Sequence, residues 1–327
     1  MTMRELAKFA NVSVSTVSKA FRDAEDVSEE TKERIFSIAK EQGCYGQYYK
    51  GKFHKPIIAV LCPELRSAHY VDYLERLQAV IREKGGIALI STYEFEAEEQ
   101  AELIEYYASY LQVDGLIILG LKTPLKKAYR IPIVSLGNKA AHNTDTVYTD
   151  LSVPIGEAVK HLVELGHKHI AFLGESKTRS KEQFFTEAAK EYGAAYSLYI
   201  SENRFEQAGE DGARRLLKQA ERPTALLCAY DYIAFGAMKY LKKKGYSIPA
   251  DFSVIGMDNI AQTEYLDTAL TTIDSATDEV CRIAWELLQK KQQNEYYRLQ
   301  RQITVTGRLI LRETTAIAKN STENSSK

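Results

Sequence analysis

The sequence predicts a small all-helical domain followed by an α/β core that contains two parallel-sheet subdomains. In residues 2–41 the apolar positions recur at helical spacing, and none of them alternates with the period of a strand. From Pro56 onwards, short apolar runs of strand length alternate with helical stretches. This alternation is typical of β-α-β units, in which a parallel sheet carries helices on both faces.

The composition bounds the class of protein. The 327 residues are 45% hydrophobic, which suffices for several separate cores. The longest apolar run, Ile57 to Cys62, is far too short to span a membrane, and the first five residues hold no apolar signal core. The four cysteines are widely spaced and include no Cys-x-x-Cys pair. We therefore expect a cytoplasmic protein with reduced thiols, no membrane contact and no cofactor.

The first two helices are predicted from their caps. Thr2 and Glu5 have the spacing of a capping box, which starts a helix before Leu6. Asn11 tolerates the left-handed conformation of a tight turn, and Ser13 can cap a second helix from Val14 to about Phe21. The sequence therefore predicts a helix-turn-helix, with a third helix before Glu41.

The second helix has two different faces. Val17, Ala20 and Phe21 share one arc and form the core side. The other arc is small, polar and cationic, which suits close approach to the major groove of DNA, and Lys19 could reach a guanine edge. Periodicity alone leaves open an ordinary three-helix bundle with a solvated outer face. The candidate DNA-binding residues are Ser13, Val14, Ser15, Thr16, Ser18, Lys19, Arg22, Ser28 and Thr31.

Charge within the helical domain is balanced. Residues 1–50 contain eight basic and eight acidic side chains, and six of the acids fall between Asp23 and Glu33. No acid occurs in residues 13–22, so the second helix is expected to keep Lys19 and Arg22 on its outer face. The net charge of the whole chain is −1, so DNA binding depends on this local arrangement and on few phosphate contacts.

Four segments are predicted: a helix-turn-helix domain suited to DNA binding (1–42), a linker (43–55), a two-subdomain core (56–315) and a disordered tail (316–327). Two facing α/β subdomains bind ligands at the carboxyl ends of their strands, in the cleft between them. The predicted strands are Ile57–Cys62, Ile87–Tyr93, Gly115–Leu119, His169–Leu173, Tyr196–Ile200, Ala225–Ala229 and Phe252–Gly256, and the predicted helices of the first subdomain are Tyr70–Lys84 and Glu96–Leu111.

The chain resembles the lactose-repressor/galactose-repressor family over about residues 2 to 315. In the core, the similar segments include Val113-Asp114-Gly115-Leu116-Ile117-Ile118 and Ser253-Val254-Ile255-Gly256-x-Asp258-Asn259. In the N-terminal domain, the similar run is Leu6-Ala7-x-x-Ala10-Asn11-Val12-Ser13-x-Ser15-Thr16-Val17-Ser18-Lys19, followed by Val27-Ser28-x-x-Thr31 and Ile35.

This resemblance implies a transcriptional regulator, by default a repressor, with a periplasmic-binding-protein-like core. Its expected partners are double-stranded operator DNA, a second copy of the chain in a homodimer, and a small-molecule effector, by default a carbohydrate. The alternatives are a corepressor ligand, a nucleobase or other metabolite as effector, or a solute-binding type of sensor without hinge coupling.

The resemblance also implies the effector site. Asp258 matches the family's ligand-binding aspartate, and Asp231 is either a second ligand residue or only the cap of the helix that begins there. Lys181 stands where relatives carry an arginine, so the bidentate fork is absent and the ligand is expected to differ from a simple hexose. His69 and Tyr70 are placed at the cleft mouth, with a plain surface role as the alternative, and Tyr230 is placed in the same cleft.

The linker departs from the family pattern. Relatives carry a hinge helix with a Leu-Ala pair that wedges into the minor groove, whereas residues 43–52 offer glycines and tyrosines. We therefore expect a flexible linker, in which Tyr48 or Tyr49 is the only candidate wedge.

No catalytic or metal site is expected. The sequence contains no Gly-x-Ser-x-Gly elbow, P-loop, Gly-x-Gly-x-x-Gly or His-Glu-x-x-His motif, so we predict that the protein is not an enzyme. His161, His167 and His169 are close in sequence. His167 and His169, two residues apart, would face the same side of a strand, but no third ligand with catalytic spacing is apparent.

Overall fold

The computed structural model describes residues 1–48, 55–111, 113–137, 143–293 and 300–319. The chain forms two compact units: Met1–Pro56 with Gly85–Ile87, and Ile57–Lys84 with Ala88–Lys327.

The described residues of the first unit form four helices: α1 (Met3–Phe9), α2 (Val14–Phe21), α3 (Glu29–Glu41) and the short α4 (Tyr45–Tyr48). Thr2 and Glu5 form the predicted capping box, and Ser13 caps α2. Asn11 has a φ of 51°, the left-handed turn residue that the sequence predicts. Between them, these caps confirm the helix-turn-helix.

The predicted linker begins inside this unit. Cys44 is buried, and the Tyr48 ring lies 5.7 Å from that of Phe21 while its hydroxyl donates to the Met1 carbonyl at 2.6 Å. The helical domain therefore continues to residue 48 and does not end at 42, because α4 supplies apolar cover for Phe21. Tyr48 therefore packs inside the helical domain. The other candidate wedge, Tyr49, is one of residues 49–54, which lie outside the described part of the chain.

The first subdomain of the core has a six-stranded sheet in the order β11-β5-β4-β3-β1-β2. Each pairing with a described register in this sheet is parallel. The elements, numbered along the chain, are β1 (Ile57–Cys62), α5 (Ala68–Glu83), β2 (Ile87–Thr92), α6 (Ala97–Glu105), β3 (Gly115–Leu119), β4 (Ile133–Leu136), β5 (Asp145–Asp150), α11 (Thr277–Gln293) and β11 (Gln302–Thr306).

The second subdomain has a sheet in the order β12-β10-β9-β8-β6-β7, parallel except for the β10–β12 pair. It has its own buried apolar cluster. Its elements are α7 (Ser152–Glu164), β6 (His169–Glu175), α8 (Arg179–Glu191), β7 (Ala195–Ser201), α9 (Phe205–Leu216), β8 (Ala225–Cys228), α10 (Asp231–Lys243), β9 (Ser253–Met257), β10 (Thr271–Asp274) and β12 (Arg308–Ile310).

In the part of the chain that the structure describes, the backbone crosses between the subdomains three times: after Asp150, after Asp274 and at Gly307. The crossings touch, since the Thr149 hydroxyl donates to the Ser275 carbonyl at 2.7 Å. A β-carbon built on Gly307 would lie 2.6 Å from the Asp274 carbonyl oxygen, so this close approach requires glycine. The two subdomains are therefore joined by three adjacent segments.

Two expectations need correction. The helix predicted over Glu96–Leu111 is α6 followed by a π-helical turn, Tyr106–Tyr110. The tail is ordered at its start: the Ala316 carbonyl accepts from His167 Nε2 at 3.1 Å, and Lys319 pairs with Asp251 at 2.7 Å. These bonds hold 316–319 on the second subdomain, and 320–327 lie outside the described residues.

Several global features bear on function. The four cysteines are unpaired and buried. Across the described ranges, no helix is long and apolar enough to cross a membrane. The same ranges hold no group of three or more His, Cys, Asp or Glu side chains that could bind a metal ion.

Candidate functional site

The predicted DNA-binding residues lie on the surface of the helical unit. Ser13 Oγ accepts from the Thr16 amide at 2.9 Å, which fixes the start of α2, while Val17, Ala20 and Phe21 are buried on the opposite face. Val14 is exposed although it is apolar. The nine predicted residues are all exposed or half-buried: Ser13, Val14, Ser15, Thr16, Ser18, Lys19, Arg22, Ser28 and Thr31.

Lys19 has an acidic partner from outside α2 that the sequence analysis did not anticipate. Asp26, in the turn after α2, forms a salt bridge with the Lys19 ammonium, and hydrogen bonding to Lys19 lowers the pKa of Asp26. Arg22 donates to Ser18 Oγ at 2.7 Å. Both groups of the Lys19–Asp26 pair are at least half exposed, and such pairs contribute little stability. An anionic or polar DNA group could therefore replace Asp26.

The turn between α2 and α3 is held by a lysine that sequence reasoning missed. Lys32 is buried, and its ammonium donates to Asp23 at 2.8 Å and to Glu29 at 2.7 Å. Ser28 caps α3 by accepting from the Thr31 amide at 3.3 Å. Two of the acids that follow α2 therefore neutralise a structural lysine.

A cavity of about 540 Å³ lies between the two sheets of the core. That volume falls within the range typical of small-molecule sites. Its walls include loops that follow the strands of both subdomains, the position predicted for a ligand. Five of the six predicted effector residues line it: His69, Tyr70, Lys181, Tyr230 and Asp258.

Asp258 is the centre of this cluster. Its side chain is 8% exposed and lies 3.2 Å from His69 Nδ1 of the first subdomain and 3.5 Å from Lys181 Nζ of the second. Burial alone would raise the pKa of Asp258, but Lys181 and His69 outweigh it and hold the pKa well below its usual range. The cleft therefore contains an ionised, enclosed carboxylate.

Asp231 has neither of its expected roles. Its two carboxylate oxygens accept hydrogen bonds from Thr272 Oγ1 at 2.6 Å and from the Ile260 amide at 3.0 Å. The residue is 1% exposed and is not among the residues that line the cavity. Tyr230, not Asp231, occupies the cap position of α10. Burial, and then the charge of Asp258, raise the pKa of Asp231. Asp231 therefore supports the loop that carries Asp258.

An ion pair across the cleft escaped the sequence analysis. Arg204 of the second subdomain donates through two nitrogens to Glu64 of the first, at 2.8 and 2.6 Å. Glu64 is buried. Because the partners are 140 residues apart, no local pattern could have paired them.

Aromatic side chains form one wall of the cleft. The His69 ring lies 5.4 Å from that of Tyr70, and the Tyr70 ring lies 6.1 Å from that of Phe95. Burial raises the pKa of Tyr70, so its hydroxyl stays protonated and can donate. A ligand with an apolar face and several hydroxyls matches a wall of rings next to a fixed carboxylate.

Similar sequences point to DNA-binding regulators. The model for bacterial regulatory proteins of the lacI family matches residues 2–45, and that for a periplasmic binding protein-like domain matches residues 159–315. The HTH-type transcriptional repressor CytR of Escherichia coli (strain K12) is 28% identical over 311 residues, covering 90% of this chain and 91% of the relative. The HTH-type transcriptional repressor PurR of Salmonella paratyphi B is 28% identical over 335 residues, covering 96% of this chain and 97% of the relative.

Solved structures share the fold. A LacI family transcriptional regulator from Enterococcus faecium with bound ribose is 26% identical, has a TM-score of 0.71 and covers 80% of this chain and 100% of that one. The lac repressor dimer bound to operator and the anti-inducer ONPF is 22% identical and has a TM-score of 0.74. The match covers 97% of this chain and 99% of that one. Together, the sequence and structure matches cover the helical unit and both subdomains.

Proposed function

Because the chain belongs to the lactose-repressor/galactose-repressor family of transcriptional regulators, we propose that it is an operator-binding repressor controlled by a carbohydrate in its cleft. The chain is a DNA-binding regulator and not an enzyme. The proposal therefore concerns the effector, the residues that bind it and the way it acts on DNA binding.

One observation carries the effector proposal: the buried Asp258 carboxylate, which contacts His69 of the first subdomain and Lys181 of the second. A sugar hydroxyl is a good donor to such a carboxylate, and a ribose-bound relative supports a ligand of this class. A hydroxyl that binds Asp258 would compete with His69 and so change the contact between the subdomains. Ligand binding would in this way shift the equilibrium between two subdomain arrangements.

The DNA-binding proposal rests on α2. Its small outer side chains permit close approach to the major groove, and Lys19 is the long donor to a base edge. Ser13, Thr16, Ser28 and Thr31 lie at or near helix N-termini, where hydroxyl and amide groups suit phosphates. We further propose a cytoplasmic homodimer that reads a pseudo-palindromic operator, as the fold shared with an operator-bound dimer suggests.

The substitution Asp258→Asn tests the cleft. We expect the variant to bind its sugar at least about tenfold more weakly, because the amide loses the charge-assisted hydrogen bonds, while ligand-free affinity for operator stays the same. The effector is first found by thermal shift of the full chain against sugars, nucleosides and nucleobases. Binding is then titrated calorimetrically, and operator affinity is measured by fluorescence anisotropy on a duplex selected from random sequences.

Asp267→Asn is the matched control, since it makes the same change on an exposed carboxylate. Equal sugar affinity in the Asp258 variant and the control would remove Asp258 from the effector site. The anisotropy titration also gives the direction of control: we expect ligand to release operator, and tighter binding would instead make the ligand a corepressor.

A further inference from the structure

Two lysines converge on one aromatic ring at the cleft. Lys177 Nζ lies 3.8 Å from the centre of the Phe95 ring, and Lys122 Nζ lies 5.3 Å from it. We call Lys122 and Lys177 the lysine pair. Phe95 and Lys177 both line the cavity.

The lysine pair spans the two subdomains. Lys122 follows β3 of the first subdomain, and Lys177 follows β6 of the second. Phe95 follows β2, where Glu94 and Phe95 have φ values of 43° and 67°. Two successive non-glycine residues in this region cost free energy, so the surrounding structure holds the Phe95 ring in its place against local preference.

The lysine pair differs from other cations of the cleft in its partners. Lys181 donates to the Ala229 carbonyl at 2.7 Å and faces Asp258, and Arg204 is paired with Glu64. Within the described ranges, neither member of the lysine pair makes a salt bridge or a side-chain hydrogen bond. Both lysines are exposed, so water and the face of an aromatic ring surround their ammonium groups, and the ring is a weak substitute for an anion.

The two ammonium groups also act on each other. Burial, and then the positive charge of Lys177, lower the pKa of Lys122, against an opposing contribution from Glu96. Like charges brought together from opposite subdomains disfavour closure of the cleft. An anion between them would reverse that effect and favour closure.

We propose that the lysine pair binds the phosphate group of a phosphorylated sugar whose hydroxyls lie toward Asp258. The inference rests on the proposed function, since it takes the cleft as the effector site and adds the chemical class of the effector. A phosphate monoester carries close to two negative charges and three acceptor oxygens, so it can accept from both ammonium groups at once. A neutral sugar offers the lysine pair nothing comparable.

The test measures the affinity of the full chain for matched ligands by calorimetric titration. The probes are ribose and ribose 5-phosphate, glucose and glucose 6-phosphate, and inorganic phosphate. The variants are Lys122→Gln, Lys177→Gln and Lys177→Arg. Lys126→Gln is the control, because it removes the same charge from an exposed position further along the same loop as Lys122.

We expect at least one phosphate ester to bind at least about tenfold more tightly than its parent sugar. Each glutamine variant should lose about tenfold for the ester and leave the parent sugar unchanged, because the neutral ligand does not reach the lysine pair. Lys177→Arg, which keeps the charge, and Lys126→Gln should retain the preference for the ester.

Two results would overturn the inference: esters that bind no better than their parent sugars, including no binding at all, or glutamine variants that keep the full preference. The proposed function is judged separately with Asp258→Asn. If sugar binding depends on Asp258 but shows no preference for the phosphate ester, only the inference about the lysine pair is overturned. Ester binding that depends on the lysine pair but not on Asp258 supports the anion site and contradicts the carbohydrate site.

Discussion

Single residues with unusual backbone conformations surround the cleft. Phe95, Phe205 and Asp258 have φ values of 67°, 56° and 99°. Non-glycine residues in this region cost on the order of 1–3 kcal/mol each and persist only where the surroundings fix them. Phe95 and Asp258 line the cavity, and the Phe205 ring lies 6.0 Å from that of Tyr230, which also lines it. The strain therefore marks the same site as the charges.

Asp231 gives the stability of the fold a specific pH dependence. Its pKa is raised in the folded state, so the folded chain holds this proton where the unfolded chain has lost it. The residue therefore contributes less stability as pH rises from the ordinary carboxyl range through its folded pKa. Asp231→Asn removes that loss, and we expect the melting temperature of the variant minus that of the wild type to increase between about pH 4 and about pH 8.

The measurement is a series of thermal melts on both proteins, with Asp267→Asn as the exposed control. For the control, the difference from the wild type should stay flat. A difference that is flat or falling for Asp231→Asn would show that burial does not govern this carboxyl group.

At the scale of the element, Lys19 of α2 forms a salt bridge with Asp26 in the turn that follows this helix. Lys19→Ala should cost about 1–3 kcal/mol of operator binding and relax base preference at one position in each half-site. Asp26→Asn should tighten binding several-fold, since Lys19 is then released from its salt bridge. Affinities measured on a selected operator and on its single-base variants give the change in binding free energy and the base preference of each variant.

Lys8→Ala is the control for this pair, because Lys8 is exposed on α1 and outside the candidate set. Its base preferences should match those of the wild type. If Lys19→Ala also leaves every base preference intact, α2 is not oriented in the groove as we propose.

Helices α9 and α10 approach each other through glycines. A β-carbon built on Gly236 would lie 1.8 Å from the Glu206 carbonyl oxygen, whereas one on Gly156 of α7 meets nothing within 4 Å. We expect Gly236→Ala to destabilise the fold by about 2–4 kcal/mol through overpacking. Gly156→Ala should stabilise it by about 0.5–1 kcal/mol, because alanine is the better helix former.

Chemical denaturation of the two alanine variants checks this contrast. Equal effects of the two substitutions would mean that α9 and α10 can separate without loss of stability.

The elements with strong local signals were predictable. Caps set α1 and α2, and β1 and β3 have the predicted ends because continuous apolar runs mark buried strands. β11 was missed because it lies at a sheet edge, where exposed and half-buried residues alternate without an apolar run. The π-helical turn at Tyr106–Tyr110 has no sequence signal of its own, since its residues fit an ordinary helix equally well.

At the scale of the whole molecule, the site was predictable only where family motifs carry it. Asp258 and Lys181 follow from such motifs, and the cavity brings them together. Partners from distant parts of the chain, such as Glu64 and Arg204, depend on how the two subdomains meet. Asp231 was misassigned because a carboxylate at the start of a helix looks the same in sequence whether it faces a cleft or a core.

The three crossings have a consequence for how the protein is made. Helix α11 packs against α5, and β11 pairs with β5, although both come more than a hundred residues later in the chain. As the chain emerges from the ribosome, the second subdomain can form around β6 to β10 while the first still lacks its last helix and edge strand. A ribosome that stalls before Thr277 would leave Leu77, Ile81 and their neighbours without cover and open to aggregation or a chaperone. Synthesis of the first core subdomain thus begins before that of the second, but the first subdomain cannot be completed until β11 has emerged.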